Sequence, residues 1–507
     1  MRGPLAYLLP SLGNILWMAV FFAVIGMGPR MMNIDGDLGR HLTIGRYILA
    51  AAQIPTSDLF SHTMAGAQVT PHEWLAQLIF AVSERLLGLD GVVLVCALVI
   101  ATAFWLVFRR ALNHNNGVLL PVMAVVLAMA ASSLHWLTRP HVFTFLLLAL
   151  WVAALEDLRC GNPRAWWRLP VLMLFWANLH GAFIAGFVTW ALYAGGMWID
   201  RGSVPVESSE QAIKPIWRPF LLGGAAAGLV TLINPAGLGV WLTSVGYVGT
   251  RYLVDHTAEY LPPDFHDAST WPFLLFTGLL LAVFGLKQRR IPAAYIFVMA
   301  AWLVMALYSV RNVPLFAIVS AAVLASTASG WLADQGGQSR LVLAWLGLES
   351  RLRRIESSLK GMLWPALFAA LILLALAGGA NLDLDQRGNQ FDPEVFPVGA
   401  VDFLAEHPPQ GQGFNHFPWG GYLLYRLWPD QRVFIDGQTD FYGEALTRQY
   451  EQVITLSPGW QSVFDQYAVR WVLVPPDSPL ANELLRRTGW QVAYQDETAV
   501  VMVAGPE

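Results

Sequence analysis

Apolar runs long enough to cross a bilayer recur along this chain, and nothing else in the sequence limits the fold so strongly. A helix must present about 20 such residues to span about 30 Å of hydrocarbon. Runs of this kind, some shorter, fall at 8–28, 73–88, 90–108, 117–137, 141–158, 167–199, 217–235, 270–287, 291–308, 313–332 and 361–380. They predict about 11 spans if 167–199 is one long or broken helix, and one more if it is two. The chain is 56% hydrophobic and 13% charged, whereas a soluble domain carries about a quarter charged residues. The expected class is a polytopic α-helical membrane bundle. The first run, from Leu8 to Met27, is too long for a signal-peptide core and lacks a clear small-residue cleavage site, so it reads as a retained span.

Charge divides the chain. From Asp383 to Glu507, 17 Asp and Glu stand against 7 Arg and no Lys, although the net charge of the whole is only −4. The division expected is a transmembrane domain over 1–380, with a first outer loop at 29–72, and a small acidic α/β soluble domain over 381–507. Neither part has the Lys-rich patches of a nucleic-acid binder. Cys96 lies in an apolar run and Cys160 in a loop, so a disulfide between them is not expected, and no zinc spacing exists.

Orientation follows from Lys and Arg in the loops, which favour the cytoplasmic side. With the N-terminus cytoplasmic, the inner loops of the second half carry Arg201, Lys214, Arg218, Lys287, Arg289, Arg290, Arg340, Arg351, Arg353, Arg354 and Lys360, and its outer loops Arg251 and Arg311. The first half is equivocal, because Arg109 and Arg110 fall outside. An odd span count puts loop 29–72 and the acidic tail together on the outer side.

The loop 29–72 contains a helical stretch, "GRHLTIGRYILAAAQ", ended by Ile54-Pro55 and read as lying along the membrane surface. In the tail, "VGAVDFLAEH", "GGYLLYRLW", "FYGEALTRQYEQVITL", "WQSVFDQY" and "LANELLRRTG" read as helices. "RVFID" and "RWVLVP" read as strands, and "WQVAYQDETAVVMVA" as a hairpin around Asp496-Glu497. Alternating helices and strands predict a small, partly parallel α/β sheet.

Candidate chemistry gathers on the outer side. "NIDGDLGRHL" places Asp35 and Asp37 one residue apart, with Arg40 and His41 behind them. A carboxylate there can accept a proton from an attacking hydroxyl, or the pair can hold a divalent cation such as Mg or Mn. The bland alternative is that Asp37 caps the following helix. "PHEW" sets His72 and Glu73 at the next helix start, where Glu also suits the helix dipole. Asn178 and His180 sit inside an apolar run, where polar residues face the bundle interior as ligands or as interhelical hydrogen bonds. Arg311 and Asn312 lie between two spans on the outer side, and an arginine there can hold a phosphate through its planar fork. "HWLTRPH" (His135, Arg139, His141) falls at an expected cytoplasmic turn and reads as structural. Glu259 and Asp264 lie in an outer loop that can close over the site. Asp436, in "VFIDGQTDFYG", reads as turn chemistry more readily than as a ligand site.

The stretch "DGDLGRHLTIGRYILAAAQIPTSDLFSHTMAGAQVTPHEWLAQLIF" resembles the first outer loop of the C-type (GT-C) membrane glycosyltransferases, in a bacterial branch with Asp-x-Asp and His-Glu-Trp-Leu in this order. "NLHG", "NPAG", "RNVPLF", "WGGYLLYRL" and "FIDGQTDFYG" resemble the same branch, so the likeness spans nearly the whole chain. The resemblance implies a multi-span bundle with an amphipathic first outer loop bearing a catalytic acid, a polyprenyl-phosphate sugar donor and a soluble C-terminal domain outside. By position Asp35 or Asp37 takes the catalytic place. Arg40, His41, His72, Glu73, Asn178, His180, Arg311 and Asn312 take substrate-binding places, with Arg311 as phosphate holder. The tail lacks a Trp-Trp-Asp acceptor motif, which disfavours protein N-glycosylation.

The function expected is transfer of a sugar from a polyprenyl-phosphate donor to a glycan, lipid or protein acceptor on the outer face of a bacterial cytoplasmic (inner) membrane. The alternatives are a transporter or flippase for lipid-linked glycans, and a non-catalytic assembly protein. A transporter predicts polar positions matched between two halves, and the sequence has no such halves.

Overall fold

The computed structural model describes residues 5–115, 117–201, 217–249, 251–286, 291–335, 339–359, 361, 363–384 and 386–505. The bundle helices, in chain order, are α1 (Leu12–Gly26), α2 (Asp37–Ala51), α3 (Trp74–Leu87), α4 (Leu89–Asn113), α5 (Leu119–Ser132), α6 (His141–Arg159), α7 (Arg168–Leu179), α8 (Ile184–Asp200), α9 (Trp217–Val230), α10 (Trp271–Leu286), α11 (Ala293–Tyr308), α12 (Val313–Gln335), α13 (Arg340–Ser358) and α14 (Leu363–Ala377). Shorter helical turns between them are left unnumbered. Among the described residues six helical stretches are long and apolar enough to cross a membrane: Ala6–Gly26, Leu89–Asn113, His141–Arg159, Gly181–Asp200, Ala268–Leu286 and Val310–Gln335.

Contacts sort the helix ends into two sets. At one end the N–H groups of Leu12 and Gly13 donate to Glu356, and those of Val118, Leu119 and Leu120 donate to Glu349. Also there, Arg110 donates to Tyr193 and the Ala293 N–H to Asp200. At the other end lie the 35–41 turn, His72, Glu73, Arg139, His180 and Glu259.

Two expected spans change. α3 is 14 residues, about 21 Å at 1.5 Å per residue, too short for the hydrocarbon. It stays at the second end along its length: its start holds Glu73, and Glu84 near its finish pairs with Arg46 of α2. The run 167–199 instead breaks at His180–Phe183 into α7 and α8, which pass in opposite directions. The two changes lie on either side of α4 to α6. The pass order between them shifts, which puts Arg109 and Arg110 at the first end, with Tyr193, rather than outside. It puts the 135–141 turn at the second end, rather than at a cytoplasmic turn.

α2 is buried between α3 and the C-terminal unit. A Cβ on Gly45 would sit 2.1 Å from the Gln77 carbonyl oxygen of α3, and one on Gly39 2.3 Å from the Gly421 carbonyl oxygen. Glycine is what lets three backbones approach so closely.

The C-terminal unit follows as α15 (Val398–Glu406), β1 (Gln412–Asn415), α16 (Gly420–Leu427), α17 (Thr439–Ile454), α18 (Trp460–Gln466), β2 (Val469–Val474), α19 (Pro479–Leu485), β3 (Trp490–Gln495) and β4 (Val500–Ala504). The sheet order is β1-β2-β4-β3, with β1 parallel to β2 and the other pairs antiparallel. Side chains alternate across it. Trp471, Leu473 and Val501 join one apolar core with the bundle, while Val472, Val474, Val500 and Met502 join the core under α17 to α19. The expected hairpin and the 469–474 strand are present. "RVFID" is not a strand: Val433 makes one isolated bridge, to Ser61. The parallel partner is instead β1, which no pattern announced. Both cysteines are free.

Candidate functional site

The site is built on the turn that starts α2. Asp35 Oδ1 accepts the Asp37 N–H at 2.7 Å. The N-cap place belongs to Gly36, and no side chain caps from there. Asp35 therefore braces the turn, and Asp37 is not the cap the sequence suggested. The Asp37 carboxylate turns to Arg139, with Oδ2 2.5 Å from Nη2. Arg139 Nη1 lies 3.4 Å from Asp35 Oδ2 and also binds Glu259. One guanidinium, whose planar fork carries five donors, thus gathers three carboxylates, two from the turn that starts α2 and one from the loop at Glu259.

Their ionisation differs by surroundings. Burial pushes Asp35 up to about 6, with Arg139 pulling the other way and Asp37 and Glu259 adding to the rise. For Glu259 burial also raises, but Arg139 and then Arg311 outweigh it and hold the group at about 2.

One turn along α2, Arg40 lines the neighbouring cleft, and His41 is buried beside it. Arg40 Nε lies 3.7 Å from Asp436 Oδ1, and its Nη1 donates to Gln438 Oε1 at 3.2 Å. Asp436 accepts the Gln438 N–H at 2.8 Å and the Tyr442 hydroxyl at 3.1 Å. Burial raises it to about 6, Arg40 opposing. Between them Gly437 touches Asp37: a Cβ there would fall 1.7 Å from Asp37 Oδ1. The C-terminal unit is thus part of the site.

Glu73 faces three histidines. His41 Nδ1, His72 Nε2 and His180 Nε2 lie 3.8, 4.0 and 3.7 Å from its carboxylate oxygens. Burial, then Arg40 and Arg139, keep His41 well below its ordinary pKa, so its imidazole is neutral at pH 7. The cleft is lined by Arg40, His72, Glu73, Asp436, Gln438 and Tyr442 among others. Asp35 and Asp37 stand next to this cleft, behind Arg40 and Gly437, and not in its lining.

The other residues singled out from the sequence have partners within the fold. Asn178 Oδ1 accepts from Trp74 Nε1 (2.7 Å) and Asn234 Nδ2 (3.2 Å), while its Nδ2 donates to the Leu174 and Ile233 carbonyls. It ties α7 to α3 and to the end of α9, and has no group left for substrate. His180 Nδ1 pairs with Thr144 Oγ1 at 2.9 Å, leaving only its Nε2 toward Glu73. Asn312 donates to the Met305 carbonyl at the end of α11. Arg311 lies over the Tyr260 ring, 4.5 Å from its centroid, on the Glu259 side of the site. Asp264 receives the His266 N–H within its own loop.

The carboxylates of Asp35 and Asp37 converge on a guanidinium. Among the described residues no group of three or more His, Cys, Asp or Glu is placed to hold a metal ion. Arg139 was misplaced because counting 73–88 as a span set the 135–141 turn on the wrong side. The short run with Glu84 and Arg85 near its end was the available sign of the error.

No family model and no curated protein matches the chain. Solved structures do. The apo oligosaccharyltransferase of Archaeoglobus fulgidus superposes with a TM-score of 0.55 at 12% identity, over 91% of this chain and 69% of that one. ArnT from Cupriavidus metallidurans, bound to undecaprenyl phosphate, superposes with a TM-score of 0.53 at 15% identity, over 97% of this chain and 99% of that one. The archaeal oligosaccharyltransferase AglB from Archaeoglobus fulgidus, in complex with an inhibitory peptide and a dolichol-phosphate, gives 0.54 at 12%, over 91% and 69%. At these identities the likeness concerns the fold alone, which the chain shares with these proteins over nine-tenths of its length or more.

Proposed function

We propose that this protein is a glycosyltransferase that moves a sugar from a polyprenyl-phosphate donor to a glycan, lipid or protein acceptor, working at the extracytoplasmic face of a bacterial cytoplasmic membrane. The observation that carries the reading is the Asp37–Arg139 pair, set beside a polar cleft at the end of the bundle that the C-terminal unit covers. Fold alone does not give chemistry; this pair supplies groups of the required kind. The orientation rests on the Arg-rich loops at the opposite end.

In this reading Asp37 accepts the proton of the acceptor nucleophile as its oxygen or nitrogen bonds to the sugar C1. The bond from C1 to the phosphate oxygen breaks, and the electron pair leaves on the lipid phosphate. Charge then grows on that phosphate, and Arg139 and Arg311 stand ready to hold it, Arg139 exchanging carboxylate for phosphate. Asp35 braces the turn that aims Asp37. The two neighbours bound to undecaprenyl phosphate and dolichol-phosphate favour a lipid phosphate as donor.

The test is release of free polyprenyl phosphate from a labelled lipid-phosphate sugar by purified protein. Asp37→Asn should abolish release while leaving expression and donor binding intact. Full release by Asp35→Asn, Asp37→Asn and the double variant would refute the role of the pair. Donor binding without release by the wild type would favour a transporter or assembly protein.

A further inference from the structure

At the end of the bundle opposite the site lies α13, Arg340–Ser358, which the function above does not use. It is turned 69° from α14 and so runs across the ends of the other helices. Glu349 and Glu356 are seven residues apart, two turns along one face, separated by about 10.5 Å. That spacing suits neighbouring packed helices, whose axes lie about 8–10 Å apart. Each takes the open N-terminus of a different helix. Glu349 Oε2 accepts the Leu119 N–H at 2.9 Å and its Oε1 the Leu120 N–H at 3.1 Å; Glu356 accepts the N–H groups of Leu12 at 2.8 Å and Gly13 at 3.2 Å. Both acids are therefore consumed on the bundle face.

The other faces follow from 100° per residue. Leu341, Leu348 and Ile355, also at seven-residue spacing, form a stripe about 100° from the glutamates and are 83%, 45% and 53% exposed. Arg340, Arg351 and Arg354 fall on the side away from the bundle and are exposed. Among the described residues neither these three nor Arg353 makes an ion pair. The helix thus shows an apolar edge and a basic outer face, with its acids turned inward. This is the form of a helix lying in a membrane interface.

We infer that α13 is an interfacial binding element for anionic phospholipid headgroups in the leaflet opposite the candidate site. The leucine-isoleucine stripe enters the acyl boundary beside the bundle's own apolar belt, and the arginines meet the phosphates. A basic residue at an anionic surface strengthens association about fivefold, and the effect falls with salt. The inference is independent of the transfer reaction.

The test uses the full chain in vesicles of phosphatidylcholine containing spin-labelled phosphatidylglycerol or spin-labelled phosphatidylcholine, with the motionally restricted fraction giving relative association. The wild type should prefer phosphatidylglycerol several-fold, and 0.5 M salt should collapse the preference. Replacing Arg340, Arg351, Arg353 and Arg354 by Gln should remove it without lowering thermal stability in phosphatidylcholine. Should that variant fail to fold, the salt dependence of the wild type decides alone. Equal association of the two lipids with the wild type, or a preference that salt and the substitutions leave unchanged, would overturn the inference. A change of oligomeric state with unchanged lipid preference would assign the stripe to a protein partner and overturn it too.

Discussion

Arg139 Nη2 stands 2.5 Å from Asp37 Oδ2, joining the turn between α5 and α6 to the first turn of α2. The same guanidinium holds Asp35 and Glu259. Three carboxylates crowd one cation in a partly desolvated place, where an arginine can be removed only by leaving like charges facing each other.

Arg139→Gln should therefore destabilise the protein by about 3 kcal/mol, the low end for breaking a buried ion pair because these groups are partly exposed. Adding Asp37→Asn to that background should recover part of the loss, since one unpaired charge goes with it. Neither variant should transfer sugar. Thermal unfolding in detergent, beside the release assay, reads both. An unchanged unfolding temperature in Arg139→Gln would mean that the cluster is not held as described.

Gly437→Ala tests whether the C-terminal unit sets the position of Asp37. The new methyl would meet Asp37 Oδ1. A displacement of about 1 Å in a reacting group can cost about a hundredfold in rate. We expect a fall in kcat of at least tenfold with donor affinity retained. Transfer at the wild-type rate would show that Asp37 acts without this contact.

Asp436 predicts a pH effect with a defined sign. Its folded pKa, about 6, is raised from the ordinary 3.8 by burial. The stability linked to its protonation is fully present below 3.8 and is lost as pH rises through 6. The total is on the order of 3 kcal/mol at 1.36 kcal/mol per unit. Thermal scans between pH 4 and 7 should show a fall in the wild type that is flatter in Asp436→Asn. Parallel curves would contradict the shift.

Asn178→Ala separates packing from binding. Its side chain satisfies Trp74 and Asn234 among buried neighbours, and each buried group left unpaired costs about 1–3 kcal/mol. The unfolding temperature should drop while the KM for the lipid-phosphate donor stays within twofold. A raised KM with unchanged stability would return Asn178 to the ligand set.

The local chemistry of short stretches was legible because it depends on neighbours in sequence. The apolar runs fall on helices, the tail helices lie where their periodicity puts them, and the two faces of β2 and β4 alternate as their residues do. Asp35 and Asp37 were singled out for their spacing, and the structure brings Arg40, His41, His72 and Glu73 around the same end. β1 was hidden because "GFN" is too short to show a period, and its partner lies more than fifty residues downstream.

What the sequence alone determined was the class of the chain: enough apolar length to cross a bilayer repeatedly, an acidic tail and a first loop bearing the Asp35–Asp37 pair. Only the tertiary structure decided which helix stays at the surface level, since a largely apolar helix of 14 residues packs equally well across or along a boundary until Arg46 and Glu84 meet. That choice moved Arg139 to the other end of the bundle and gave Asp37 its partner. Ion pairs between distant stretches depend on how passes are ordered in space, and hydrophobic periodicity carries no record of that order.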